Sequence, residues 1–126
     1  MSELANLTVA SDGDVVVAAM SGEIDLSNAT RITREVLGRV PNEALGLVVD
    51  LSDVSYLDSA GVRMLSELER RLGWRAQAFG VVAPTGSRCR KVLSIAGMDA
   101  LLRLVPSVED ARAQMQASNE EPQPPD

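Results

Sequence analysis

The fold is decided by an apolar segment in the middle of the chain, residues 44–51, which reads Ala44-Leu45-Gly46-Leu47-Val48-Val49-Asp50-Leu51. Hydrophobic residues follow one another here instead of alternating with polar ones. Such a run is typical of a strand that is covered on both faces or held between parallel neighbours. The segment therefore predicts a central strand of a sheet.

Helices and strands are expected to alternate on both sides of this segment. Upstream, residues 4–10 and 15–20 predict a hairpin, and apolar residues spaced three and four apart predict a helix at 29–40, ended by Pro41. Downstream, the predicted elements are a connection at 52–57, a helix from Asp58 to Leu72 closed by Gly73, a strand at 76–82, a helix at 87–96, a strand at 101–105 and a helix at 108–116. The predicted class is α/β, a mixed sheet of about five strands with about four α-helices packed on it.

The chain length of 126 residues fits one domain, which we assign to residues 1–116. Residues 117–126 contain three acidic residues and three prolines, a composition that cannot form a packed core, so this tail is expected to be disordered. Inside the domain, the helix at 87–96 is expected to bury the side chains of Val92, Leu93, Ile95 and the single cysteine, Cys89.

Composition excludes several classes of function. A net charge of -6 and a content of three aromatic residues argue against nucleic-acid binding, which needs basic surfaces and stacking platforms. The chain has no histidine, which excludes histidine-dependent catalytic triads and imidazole metal sites. No segment is long and apolar enough to cross a membrane, and the first residues lack the pattern of a signal peptide, so a cytoplasmic protein is expected.

Few side chains remain that could carry chemistry. The glycine-rich loops that bind dinucleotides or nucleoside triphosphates are absent. Five carboxylates leave open a metal site or acid–base catalysis: Glu23, Asp25, Asp50, Asp53 and Asp58. The last three are better explained as a strand end, a turn former and a helix cap. We therefore expect no enzyme activity, no cofactor and no metal.

The start of the second predicted helix is more informative. In Asp58-Ser59-Ala60-Gly61 a hydroxyl group is followed by two small residues, which let a partner approach it closely. Residue type and position alone favour a helix cap for Ser59 over a modification site.

Residues 48–62, which run from Val48-Val49-Asp50-Leu51-Ser52 to Leu57-Asp58-Ser59-Ala60-Gly61-Val62, resemble the signature of STAS domains, specifically bacterial anti-sigma factor antagonists. Residues 20–26 and 92–99 are also similar to the family pattern, and the resemblance covers about residues 4–116. It departs from the usual pattern at three positions, none of which removes the hydroxyl of Ser59: Tyr56, Ala60 and Met98.

The resemblance implies a bacterial switch protein that is a kinase substrate and not an enzyme. In this family the unmodified antagonist binds an anti-sigma factor and frees a sigma factor. The anti-sigma factor is also a serine kinase, which supplies ATP and magnesium, and its phosphorylation of the serine that matches Ser59 ends the binding; a serine phosphatase is a further expected partner. The implied partner-binding residues are Glu23, Asp25, Asp58, Ser59, Ala60, Gly61 and Arg63. For Arg63, a solvated helix residue is an equally good interpretation.

Two alternatives stay open. A domain of this fold can instead be a scaffold or accessory subunit of a signalling or lipid-transport assembly that binds constitutively, without a phosphorylation switch. A small nucleotide-binding or hydrolytic α/β domain would turn over ATP or GTP on its own. Phosphate on Ser59 after incubation with the cognate kinase separates the switch from the scaffold, and turnover by the isolated chain identifies the enzyme.

Overall fold

The computed structural model describes residues 6–120, whose five strands form one sheet in the order β1-β2-β3-β4-β5. The elements are β1 (Asn6–Asp12), β2 (Val15–Ile24), α1 (Ala29–Leu37), β3 (Gly46–Leu57), α2 (Ser59–Trp74), β4 (Ala78–Val82), α3 (Arg88–Ile95), α4 (Asp99–Leu102), β5 (Leu104–Val105) and α5 (Val108–Glu120). β1 and β2 are antiparallel, and all other neighbouring strands are parallel. The predicted α/β class and mixed sheet are confirmed, and a one-turn helix, α4, brings the helices of the described residues to five.

The first half of β3 lies at the centre of the sheet and is buried on both faces. Leu47 and Val49 belong to the larger hydrophobic cluster, which contains residues of α1, α2, α3 and α4. Val48 belongs to a smaller cluster together with Ala111 and Met115 of α5. Successive side chains of a strand point to opposite faces, so both faces need hydrophobic residues here, and the unbroken apolar run follows. The predicted central strand is confirmed.

The second half of β3 was predicted as a connection at 52–57, and that prediction was wrong. The strand continues to Leu57, but its register against β2 shifts twice because β3 carries extra residues. Its buried positions therefore recur every three residues, at Leu51, Val54 and Leu57, instead of every two. The alternation that normally identifies a strand is lost.

The second half of β3 has a strand neighbour on one side only, because β4 ends opposite Asp50. On the other side lies α3, where the thiol of Cys89 donates a hydrogen bond to the carbonyl oxygen of Val54 over 3.7 Å. Cys89 is 1% exposed, which confirms its predicted burial. Burial raises the pKa of this thiol, and the neighbouring charge of Arg88 offsets part of the rise.

Several element boundaries differ from the predictions. β2 continues to Ile24, so Glu23 lies within the strand and not after it. Gly73 lies inside α2, and the left-handed residue that follows the helix is Ala76, with φ of 56°. Ile95 is 80% exposed, so the prediction that it faces the core was wrong.

The predicted disordered tail begins at residue 117, but α5 continues to Glu120, so residues 117–120 are helical. The remainder of the tail, residues 121–126, lies outside the described residues, as do residues 4 and 5 of the predicted first strand.

Candidate functional site

The candidate site lies at the carboxyl ends of the parallel strands β2 and β3. Ile24 and Leu57, the last residues of these strands, are register partners, and the amide of Asp58 donates a hydrogen bond to the carbonyl oxygen of Ile24 over 3.3 Å. Asp25 and Asp58 directly follow these two residues in the sequence, so they lie side by side at this edge. In open α/β sheets, ligands bind at this edge.

Asp58 caps α2, and Ser59 is the first residue of the helix. The Asp58 carboxylate accepts hydrogen bonds from the amides of Ala60 (2.9 Å) and Gly61 (3.1 Å), and its carbonyl oxygen accepts one from the amide of Val62 (3.0 Å). The prediction of Asp58 as a cap is confirmed. The interpretation of Ser59 as the cap was wrong, because this serine is exposed and its hydroxyl takes no part in the capping.

Gly61 allows α2 to approach the ends of the strands closely. A Cβ atom at this position would lie 2.4 Å from Cδ1 of Leu57 and 3.3 Å from Cγ2 of Ile24. Ala60 is also buried, with 8% exposure. Little of these two predicted site residues is therefore accessible, whereas Ser59 beside them is exposed.

The loop between β2 and α1 is held by Asn28, which sequence analysis did not single out as a site residue. The Asn28 side chain is 2% exposed, accepts a hydrogen bond from the amide of Asp25 (3.1 Å) and donates one to the carbonyl oxygen of Glu23 (2.9 Å). The Asp25 carboxylate accepts hydrogen bonds from the amide and the hydroxyl of Ser27. The loop thereby holds Leu26 in an exposed position.

Two grooves meet at the amino end of α2. The α2–α3 groove has a volume of about 560 Å³; Ser59 lies in it with the charged residues Asp58 and Arg63, and its apolar lining is Leu57, Val62, Val92, Ile95 and Ala96. The α1–α2 groove has a volume of about 620 Å³ and includes Leu26, Ala60 and Arg63. Arg63 therefore borders both grooves, and a partner that contacts Ser59 has apolar surface on either side of it.

The exposed apolar residues of this surface were not predicted from the sequence. Ile95 could have been recognised from its position, because Cys89 and Leu93 define the buried face of α3 at a spacing of four, and Ile95 falls off that face. Leu26 carries no comparable signal, since it follows a strand and precedes a helix. Exposed hydrophobic residues that cluster around a polar group are typical of binding sites.

Residues 6–120 contain no group of three or more His, Cys, Asp or Glu side chains that could hold a metal ion. The Asp50 carboxylate instead accepts hydrogen bonds from the amide (3.0 Å) and hydroxyl (2.6 Å) of Ser52, at the first register shift of β3. Within the same residues, no helix has the length and apolar character needed to span a membrane.

The model of the STAS domain family matches residues 6–111. The chain belongs to the STAS domain family. It is 35% identical over 105 residues to the anti-sigma-F factor antagonist RsfB of Mycobacterium tuberculosis, which is 83% of this chain and 84% of that protein. The crystal structure of an anti-sigma factor antagonist from Mycobacterium paratuberculosis has a TM-score of 0.80 and 30% identity, covering 92% of this chain and 99% of that chain. The resemblance to anti-sigma factor antagonists is confirmed.

The same fold also occurs in a sulfate transporter family protein from Wolinella succinogenes. That structure has a TM-score of 0.71 and 18% identity, over 86% of this chain and 89% of that chain. At this identity the likeness shows the fold alone. Function must therefore be argued from the residues of the site.

Proposed function

We propose that this chain is a cytoplasmic anti-sigma factor antagonist whose binding is ended by phosphorylation of Ser59. In its unmodified form it binds an anti-sigma factor and thereby releases a sigma factor. The observation that carries the proposal is the position of the Ser59 hydroxyl, which is exposed at the amino end of α2, outside the cap, in a groove of mostly apolar lining.

The surface around Ser59 has the chemistry of a protein docking site. Ile95 is 80% exposed, and Leu26 is 77% exposed. Tyr56, the penultimate residue of β3, is 43% exposed. Tyrosine is among the residues that often provide much of the binding energy of an interface, and clusters of exposed apolar residues are typical of interaction sites. These side chains support direct contact between the anti-sigma factor and the region of the unmodified hydroxyl.

Phosphorylation of Ser59 changes the charge of this surface without disturbing the fold. A phosphate adds about -1.5 to -2 charges at neutral pH, close to the carboxylates of Asp25 and Asp58. The cap of α2 depends on Asp58 and not on the Ser59 hydroxyl, so the helix keeps its first hydrogen bonds. Like charges across an interface cost several kcal/mol, and each ~1.4 kcal/mol is tenfold in affinity, so the modified chain should bind at least about a hundredfold more weakly.

In this reaction the chain is a substrate and not a catalyst. It contains no histidine that could activate the Ser59 hydroxyl. The ATP, the magnesium and most of the positioning of the phosphoryl group are therefore supplied by the anti-sigma factor, acting as a serine kinase. A serine phosphatase returns the chain to its binding form.

The test is incubation of the pure chain with its anti-sigma factor and ATP, followed by mass spectrometry and a binding assay. We expect one phosphate, on Ser59, and dissociation of the complex. Ser59→Ala should stay bound in the presence of ATP, Ser59→Asp should bind weakly, and Ser55→Ala, which alters a neighbouring exposed serine, should behave as the unchanged chain. Persistent binding without phosphate would favour the constitutive scaffold, and ATP hydrolysis by the isolated chain would favour the enzyme.

A further inference from the structure

We infer that Arg63 is the counter-ion of the phosphate on Ser59, so that modification both adds negative charge to the docking surface and removes its neighbouring positive charge. The inference rests on the proposed modification of Ser59. Arg63 is then the residue that stabilises the modified state, a role that the resemblance to the family assigns to no residue.

The helix amides cannot fill this role by themselves. An unoccupied helix amino terminus binds phosphate through its free N–H groups. In α2, however, the amides of Ala60 and Gly61 already donate to the Asp58 carboxylate, and the amide of Val62 donates to the Asp58 carbonyl oxygen. Among the first four amides of the helix, that of Ser59 alone is outside this set of bonds. A protein cation that stabilises a phosphate on Ser59 must therefore come from a side chain.

Arg63 is placed to provide that cation. It lies four residues after Ser59 on the same helix, a spacing that puts two Cβ atoms about 5–6 Å apart on one face. Side chains on a helix lean toward its amino end, which directs the arginine toward the serine. Both residues border the α2–α3 groove. The geometry is that of an i,i+4 ion pair with the acidic group on the amino-terminal side, the more favourable orientation.

Arg63 is also free to form this pair. Within the described residues it forms no ion pair and no side-chain hydrogen bond, and it is exposed. Arg70 and Arg71, further along α2, are instead bound to the carboxylate of Glu67. Near Ser59, by contrast, α2 carries an arginine that is not bound to an acidic residue of the described chain.

The other groups that face Ser59 do not supply a positive charge. Asp58 lies in the same groove, and Asp25 lies beside Asp58 at the edge of the sheet, so both oppose a phosphate dianion. From α3 the groove receives three uncharged residues, Val92, Ile95 and Ala96. From α1, Arg34 reaches the α1–α2 groove but does not line the groove that contains Ser59. Arg63 is therefore the one cation in the lining of that groove.

This pairing gives phosphorylation a second effect on docking. In the unmodified chain Arg63 is available to an acidic group of the partner on the rim of the interface. After modification the guanidinium group of Arg63 binds the phosphate and no longer offers a positive charge to the partner. The surface that the partner meets is then acidic. The switch then works by exchange of surface charge, without a large conformational change.

The test measures the second pKa of phosphoserine installed at position 59 during translation, by ³¹P NMR of the full chain. A nearby cation favours the dianion and lowers this pKa, which is about 6 without a partner. We expect the pKa to be about 0.3 pH unit higher in Arg63→Gln than in the chain with Arg63, the shift of a typical exposed i,i+4 pair. Arg63→Lys should keep most of the lowering, and 1 M salt should reduce the difference.

Arg34→Gln is the matched control, because it removes the same charge from the adjacent groove. The pKa of the phosphate in Arg34→Gln should equal the pKa in the chain that keeps both arginines. Equal values for the chain with Arg63 and for Arg63→Gln would overturn the inference, as would a shift in Arg34→Gln as large as that in Arg63→Gln. The measurement needs neither the kinase nor the anti-sigma factor, so its failure is distinct from a failure of the proposed function, which would appear as an unphosphorylated Ser59 or an unaffected complex.

Discussion

The two halves of β3 have different roles. From Gly46 to Asp50 the strand is paired in register with a neighbour on each side and is buried on both faces. From Leu51 to Leu57 it is paired with β2 alone, its register shifts twice, and four of its seven residues are exposed. The first half stabilises the sheet, whereas the second half determines where Ser59 emerges. We therefore expect substitutions in the first half to affect mainly stability, and substitutions of the exposed residues in the second half to affect mainly docking.

The largest effect is expected from a substitution in the first half. Leu47→Ala removes a fully buried side chain from the larger cluster and should lower the free energy of unfolding by about 2–5 kcal/mol, measured by urea denaturation. The affinity of the folded fraction for the anti-sigma factor should not change.

Tyr56→Ala is the matched substitution in the second half. Because Tyr56 is 43% exposed, its loss should lower stability by less than about 1 kcal/mol, while binding should weaken about tenfold. If Leu47→Ala weakened binding by the folded chain, or Tyr56→Ala left it intact, the separation of the two halves would be wrong.

The close approach of α2 to the strand ends is tested by two glycines of that helix. Gly61→Ala places a methyl group against Leu57 and should destabilise the chain by about 1–3 kcal/mol. Gly73→Ala meets no atom within 4 Å and should stabilise it by about 0.5–1 kcal/mol, because alanine loses less backbone entropy in a helix. Thermal or urea unfolding measures both, and a change of the same sign in the two variants would refute the close approach.

The cap of α2 should contribute a smaller amount. Asp58→Ala removes the acceptor of two amide hydrogen bonds and should lower the free energy of unfolding by about 1 kcal/mol. Asp58→Asn keeps a capping oxygen and should cost only a few tenths of a kcal/mol. Equal losses in the two variants would mean that the carboxylate charge, and not the cap, is responsible.

The smallest effect is expected from Cys89. Because burial raises the pKa of its thiol, the unfolded chain ionises first as the pH rises, and the folded state loses stability above the ordinary thiol pKa of 9.0. Between pH 8 and 10 the free energy of unfolding should therefore fall more steeply for the unchanged chain than for Cys89→Ala. Parallel curves would show that burial does not hold the thiol neutral.

Much of the fold was predictable from the sequence because the hairpin and the first half of β3 follow simple patterns. The run at 44–51 marks a strand buried on both faces, and polar residues mark the turn of the hairpin. The second half of β3 was missed because extra residues change the spacing of buried positions from two to three, and no local pattern reveals which partner strand imposes that spacing.

The candidate site was predictable in part. Asp58 and Ser59 were identified from the start of the helix and from the resemblance to the family. The side-by-side position of Asp25 and Asp58 depends on the pairing of Ile24 with Leu57, which joins segments 33 residues apart in the chain. The exposed apolar residues Leu26 and Ile95 are far apart in the sequence, and only the folded chain shows that they line two grooves that meet at the amino end of α2.

The central claim is tested most directly by the affinity of the anti-sigma factor for two forms of the chain, one with Ser59 unmodified and one with phosphoserine at that position, measured by isothermal titration calorimetry. Circular dichroism should show the same secondary structure and a similar melting temperature for both forms. We predict that phosphorylation raises Kd at least about a hundredfold, equivalent to ~2.7 kcal/mol. An equal Kd for the two forms would contradict the account.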